Sequence, residues 1–346
     1  MSEELVSQSG RDELIPSFLE KPEEITEFID TKEYDVVIVG AGTPGLPYAL
    51  SAKEEGLSVA VLQKGPTASA CGNICAAIDY ESSNQSDVDN LVSRLVVSSG
   101  HRVKREVIDL WARESGKAFD WLKPLAEEAG CQIKTLGNGP HQALKDEHDY
   151  DINFKTLFFG PKPYSVGAGM VQLAKLAEKK GVDFYYKTPG VQLIQDESGK
   201  VVSVVGKSKE GAIKFSAKLG VVITTGDYQN DPEMIKYYCP DMQYFETKKS
   251  GRTGDGHKMV VWVGGQIENI GHTKMCHDFD SGPAGLMNMP LMRVKKNGKC
   301  FANEELVHME YMNNYLFSKE DAGNYFEIFD SAYEEKFKDS PVRLQA

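Results

Sequence analysis

The chain has 346 residues, of which 41% are hydrophobic and 26% charged, enough apolar material for two domains and a large core. Its formal net charge of -12 argues against nucleic acid or an anionic membrane surface as the main partner, and leaves room for a local basic pocket that takes an acidic ligand. No run of about 18 apolar residues occurs and the N-terminus lacks a basic and then apolar leader, so a chain with no transmembrane segment and, by default, a cytoplasmic location is expected.

Residues 1–33 are acidic and weakly patterned, and read as a tail with one short helix at 22–29. Residues 34–39 are continuously apolar after Tyr34 and Asp35, the pattern of a strand buried on both faces. A helix is expected at 47–55 and a second buried strand at 57–62, which makes a βαβ unit about 30 residues long. A helical region spans 88–129 and carries Trp111 and Trp121. Residues 131–166 look loop-rich. A helix at 170–180, ended by Gly181, leads to a strand at 182–186. Hairpin strands follow at 192–195, 201–207 and 212–217, with turns at 196–200 and 209–211. Another apolar strand covers 219–224, and a helix at 256–263 stops at Gly264 and Gly265. Six cysteines occur. Cys71 and Cys75 stand in a CxxxC spacing with no second pair or HxxxH, so free thiols and no metal site are expected.

The turn after the first strand reads Gly40-x-Gly42-x-x-Gly45. The first glycine allows a tight bend, the second lets the backbone approach a pyrophosphate, and the third lets helix and strand pack closely. The following helix start offers unpaired amides and a positive dipole end. Pro44 removes one donor, which is tolerable at a helix start. At the end of the second strand, Gln63 stands where a ribose-binding acid is usual. Its amide can still bond ribose hydroxyls, without the strength that a charge adds.

Four segments in order, DVVIVGAGTPGLPYAL, VQLAKLAEKKGVDFYYKTPGVQLI, GVVITTGDYQNDPEMIKYY and TGDGHKMVVWVGGQIEN, resemble the flavoprotein family of fumarate reductase, succinate dehydrogenase flavoprotein subunits, urocanate reductase and ketosteroid dehydrogenases. A fifth, NGKCFANEE, is similar to that family's G-x-RF-x-NE, and the resemblance covers about residues 34–310. It implies an α/β fold: a Rossmann-like FAD-binding domain with inserted β-hairpin strands at 34–268, then an incomplete α+β capping domain at 269–346. It implies FAD as cofactor, a small-molecule substrate, and reduction or dehydrogenation of a carbon–carbon double bond by hydride transfer with the flavin.

Residue by residue, the resemblance assigns the diphosphate to Gly40, Gly42 and Gly45, and the adenosine ribose to Gln63 with Lys64 beside it. It assigns a loop wrapping toward the flavin to Gly72 and Asn73, and a turn against the cofactor to Thr225 and Gly226, with Asp227 in place of a common second glycine. Asp255 matches an acid near the flavin, and reads equally as a helix N-cap. The chain departs from the fumarate-reducing pattern where the proton-donating arginine would fall, which here is His308, and the segment that should carry a Glu–Arg relay contains no glutamate. His277 lies near the place of a substrate-binding histidine, and Tyr311 is a further possible donor. Fumarate and succinate are therefore not the expected substrates. His308 has the ordinary pKa for proton donation near neutrality, though a lone histidine is more often structural. The Met-rich run 286–292 reads as core packing before it reads as a pocket wall.

Family members continue beyond the equivalent of Ala346, so a C-terminally truncated chain, a subunit completed by a second chain, or a shortened divergent member is expected. No CxxCH is present, so the electron donor or acceptor is expected to be external. Two other readings stay open: an oxidase of amines or hydroxy acids on the same cofactor, and a non-catalytic FAD-binding remnant.

Overall fold

The computed structural model describes residues 16–69, 75–140, 149–161, 166–240, 242, 250–268, 272, 292–300, 326–332 and 335. The chain divides into two compact units, residues 1–227 with 254–268, and residues 228–253 with 269–346.

The described strands of the first unit are β1 (Asp30–Val39), β2 (Val59–Gln63), β3 (Cys75–Ile78), β4 (Gln132–Pro140), β5 (Asn153–Gly160), β6 (Asp183–Tyr186), β7 (Gly190–Gln195), β8 (Val201–Lys207) and β9 (Ala212–Ile223). Its helices are α1 (Gly45–Glu54), α2 (Gln85–Ser98), α3 (Arg105–Glu128) and α4 (Val166–Lys179). Six strands form one sheet in the order β6-β2-β1-β9-β8-β7. The first four run parallel, and β8 and β7 extend the sheet antiparallel. A separate antiparallel sheet, β3-β5-β4, belongs to the long excursion between β2 and β6.

The unbroken apolar run of β1 is explained by its position. Val36 and Ile38 pack beneath α1 and α4 with Leu46, Leu50 and Leu173. Val37 and Val39 point the opposite way, into a core of Val204, Phe215 and Met259. Both faces are dry, so no polar alternation survives.

Several expected boundaries move, for tertiary reasons. Residues 22–29 form no helix. Their backbone is held by the sheet instead, with the Ile25 amide donating to Gln192 Oε1 at 2.8 Å and the Ile29 amide to the Ala212 carbonyl at 2.9 Å. A single 3₁₀ turn, Ser17–Leu19, precedes them. The strand expected from residue 34 begins at Asp30 because Asp30–Tyr34 pair with Ile213–Ala217. The strands expected at 212–217 and 219–224 are one strand, β9, which pairs with β8 on one edge and β1 on the other. Tyr34 faces Ala217 and Val36 faces Gly220, so β9 carries one extra residue at that point. The helical region 88–129 is two helices, parted at Ser99–Gly100 where Gly100 takes a positive φ of 65°. The loop-rich stretch after residue 131 contains β4 and β5, which β3 completes into a sheet.

In the second unit, α5 (Pro232–Tyr238) was absent from the sequence reading. It starts on Asp231, whose Oδ1 accepts from the Met234 amide at 2.9 Å, with Pro232 in the first turn. Strands β10 (Met292–Val294) and β11 (Phe326–Ile328) pair antiparallel, and Arg293 lies opposite Glu327 in a buried ion pair of 3.1 Å.

Candidate cofactor site

The site is built where the order of the parallel strands reverses. From β1 the chain moves outward through β2 to β6, then returns to β9 on the other flank of β1. At such a switch point, the ends of β1 and β9 open a crevice at their C-terminal edge. The glycine bend follows β1 there. Its Gly40 amide donates to the Leu62 carbonyl at 2.8 Å, tying it to β2. Thr224 ties it to β9. The Thr224 amide donates to the Val39 carbonyl at 2.8 Å, and its hydroxyl donates to the Gly40 carbonyl at 2.7 Å.

The three glycines have different jobs. A Cβ on Gly40, whose φ is 113°, would lie 2.4 Å from the Thr224 carbonyl oxygen. One on Gly45 would lie 2.1 Å from the Gly40 carbonyl oxygen and 2.7 Å from Thr224 Oγ1. Both are demanded by the protein's own packing. A Cβ on Gly42 meets nothing nearer than 3.6 Å, the Ser69 carbonyl oxygen. Packing therefore does not require glycine at 42, and the bare backbone there serves a group approaching from outside. Among the described residues the amides of Gly42, Thr43 and Gly45 have no acceptor, whereas Leu46 and Tyr48 donate within the turn. Three free donors beside a helix start suit a diphosphate, so the residues present fit the cofactor that the motif implies.

Gln63 is buried and turned inward. Its Oε1 accepts from the Ala41 amide at 3.0 Å, and its Nε2 donates to the Thr67 carbonyl at 2.9 Å. The side chain braces the bend against the loop leaving β2. Lys64 points elsewhere: its Nζ lies 2.9 Å from Asp255 Oδ2. Asp255 opens α6 (Asp255–Trp262), and the cap position is Gly254, in a left-handed conformation at φ 69°. Asp255 is thus the first helical residue and not the cap, and its charge is favourable in that turn. Gly256 is pressed on the exit of β9, since a Cβ would stand 2.3 Å from Thr225 Oγ1.

The structure brings Gly40, Gly42, Gly45, Gln63, Lys64 and Asp255 to one edge of the sheet, with Thr225 and Gly226 (φ 78°) at the exit of β9. Gly72, Asn73, His277, His308 and Tyr311 lie outside the described residues. The residue that sequence reading missed is Thr224. The Thr-Thr-Gly run marked the turn, but only the pairing of β1 with β9 shows which threonine faces the glycines. No group of metal-ligating side chains occurs among the described residues, and no described helix is long and apolar enough to cross a membrane.

Comparison with known proteins agrees with this geometry. The family described as "FAD binding domain" matches residues 35–296. The cytochrome-type fumarate reductase of Shewanella frigidimarina is 24% identical over 289 residues, covering 78% of this chain and 48% of that protein. Vinyl phenol reductase of Lactiplantibacillus plantarum is 23% identical over 313 residues, covering 83% of this chain and 60% of that protein. This chain therefore spans about half the length of the first and three-fifths of the second. Among solved structures, the 3-ketosteroid Δ4-(5α)-dehydrogenase of Rhodococcus jostii superposes with a TM-score of 0.70 at 19% identity, over 90% of this chain and 69% of that one, which shows the shared fold. With a bend that fits a diphosphate and a family match over three-quarters of its length, the chain belongs to the FAD-binding-domain family.

Proposed function

We propose that this chain is the cofactor-holding part of a flavin oxidoreductase that reduces a carbon–carbon double bond of a small organic molecule, or dehydrogenates it in reverse. The observation that carries the reading is the bend at Gly42: among the described residues the amides of Gly42, Thr43 and Gly45 have no acceptor, and packing does not require glycine at 42. FAD supplies the hydride chemistry, and the protein supplies binding, orientation and electrostatics. In this reading the Gly42, Thr43 and Gly45 amides hold the diphosphate, and Gln63 and Thr224 keep the bend in shape from β2 and β9. Thr225, Gly226, Gly72 and Asn73 line the path of the cofactor. Residues 269–346 contribute to a cap over the substrate, with His308, His277 or Tyr311 as proton donor. The names of the two reductase relatives support the reaction class, and the departures at His308 and in the relay segment argue for a substrate other than fumarate. The electrons come from an external donor, and a second chain completing the substrate side belongs to the same proposal.

The test is reconstitution. The purified chain is mixed with FAD, desalted, reduced anaerobically, and offered enoates, enones, imines and 2-keto acids. Reoxidation by an enoate or enone, with a saturated product, is the expected result. Reoxidation only by imines or keto acids points to an amine or hydroxy-acid oxidase. Bound flavin that no acceptor reoxidises points to a binding remnant. A chain that retains no flavin ends the proposal.

A further inference from the structure

The described residues hold one cross-link over the mouth of the site. Lys64 leaves the end of β2, and Asp255 begins the helix that Gly256 presses onto the exit of β9. β2 and β9 lie on opposite sides of β1. The Lys64–Asp255 ion pair, 2.9 Å between Nζ and Oδ2, therefore spans the C-terminal end of β1, where the amides of Gly42, Thr43 and Gly45 have no acceptor among the described residues. Its side chains are 48% and 34% exposed. A pair so open to solvent is weak and readily exchanged, because water screens the two charges.

From this geometry we propose that Lys64 is a shared cation, exchanged between Asp255 and the diphosphate of the incoming dinucleotide. The inference rests on the FAD reading and goes further, because it assigns Asp255 an opposing role in diphosphate capture. The overall charge of -12 repels a polyanionic ligand, so a cation at the bend matters to its capture. Asp255 holds that cation across the bend, and the ligand must win it away. A diphosphate without a flavin meets only the competition, which makes ADP a clean probe.

ADP and FAD binding are measured by titration calorimetry at low salt on the wild-type chain, Lys64→Met, Asp255→Asn and the double variant, with circular dichroism confirming that each folds. Asp255→Asn should tighten ADP binding by about two- to fivefold, and Lys64→Met should weaken it by a similar factor, the range set by an exposed pair. In the Lys64→Met background, Asp255→Asn should change ADP affinity by less than about 1.5-fold, the mark of an effect that runs through the cation. Tightening that persists undiminished without Lys64 would be simple repulsion by the carboxylate, and overturns the exchange. So does an Asp255→Asn chain that binds ADP no better than wild type while wild type still takes FAD. A wild-type chain that binds neither ligand overturns the FAD reading and this inference with it, which is a different outcome from failure of the exchange alone.

Discussion

At the scale of single residues, the glycine bend separates two roles that a sequence motif merges. Gly45→Ala must place a methyl group 2.1 Å from the Gly40 carbonyl oxygen, so the helix or the bend has to move. It should lower stability by about 2–3 kcal/mol, the cost of overpacking a close contact. Gly42→Ala meets ordinary contacts at 3.6 Å and should leave the thermal midpoint nearly unchanged while flavin retention falls sharply. Differential scanning fluorimetry and flavin fluorescence on the two variants check both halves; equal destabilisation would remove the special status of Gly42. Thr224→Val deletes the hydroxyl that bonds the Gly40 carbonyl and should cost about 1 kcal/mol in urea unfolding, with weaker flavin binding as a second effect. The glycines were legible in the sequence because a bend's backbone needs are local. Thr224 and the inward turn of Gln63 were not, because each depends on a partner in another strand, 184 residues away for Gly40 and Thr224.

At the scale of elements, β1, β2, α1 and the hairpin strands could be read from apolar runs and turn residues alone. The elements that were misread are those whose backbone partners lie far off in the chain. Residues 22–29 carry acidic helix-start chemistry, yet contacts with Gln192 and Ala212 hold them extended. β9 looked like two strands because Lys218, a polar break, stands where it carries its extra residue. That irregularity also organises a charge cluster. Asp35 accepts from the Ser58 hydroxyl at 2.6 Å and the Ser58 amide at 2.8 Å, and lies 3.6 Å from Lys218 Nζ. The Ser58 bonds, with Lys218 nearby, hold its carboxyl below the ordinary 3.8. A depressed folded pKa stabilises the fold above the ordinary value and ceases to do so as pH falls through the lower one. Asp35→Asn should therefore be less stable than wild type at neutral pH, with the gap closing as pH falls below 3.8 and through the lower folded value. Urea midpoints across that range decide it, and a gap of constant size would mean the charge is not the cause. By contrast α5 was legible in principle, since Asp231-Pro232-Glu233 is a helix start in plain view.

At the scale of the whole molecule, the site is assembled from segments distant in sequence, and binding should register in all of them together. Hydrogen exchange with and without FAD should show added protection at 39–46, 63–69, 223–227 and 254–257 at once, because the bend, the loop after β2, the exit of β9 and the start of α6 meet at one edge. Protection confined to 39–46 would mean that the other three stretches are bystanders. The distance along the chain has a further outcome for biogenesis. Val39 and Gly40 receive their clasp from Thr224, so a ribosome must deliver the 184 residues that separate Gly40 from Thr224 before that clasp can close. Until then β1 presents an open apolar edge, a hazard for stray strand pairing. Closing so long a loop is slow. The vitamin-derived ligand can thus be loaded only after the central sheet is complete, and nascent-chain quality control has a long interval in which to act.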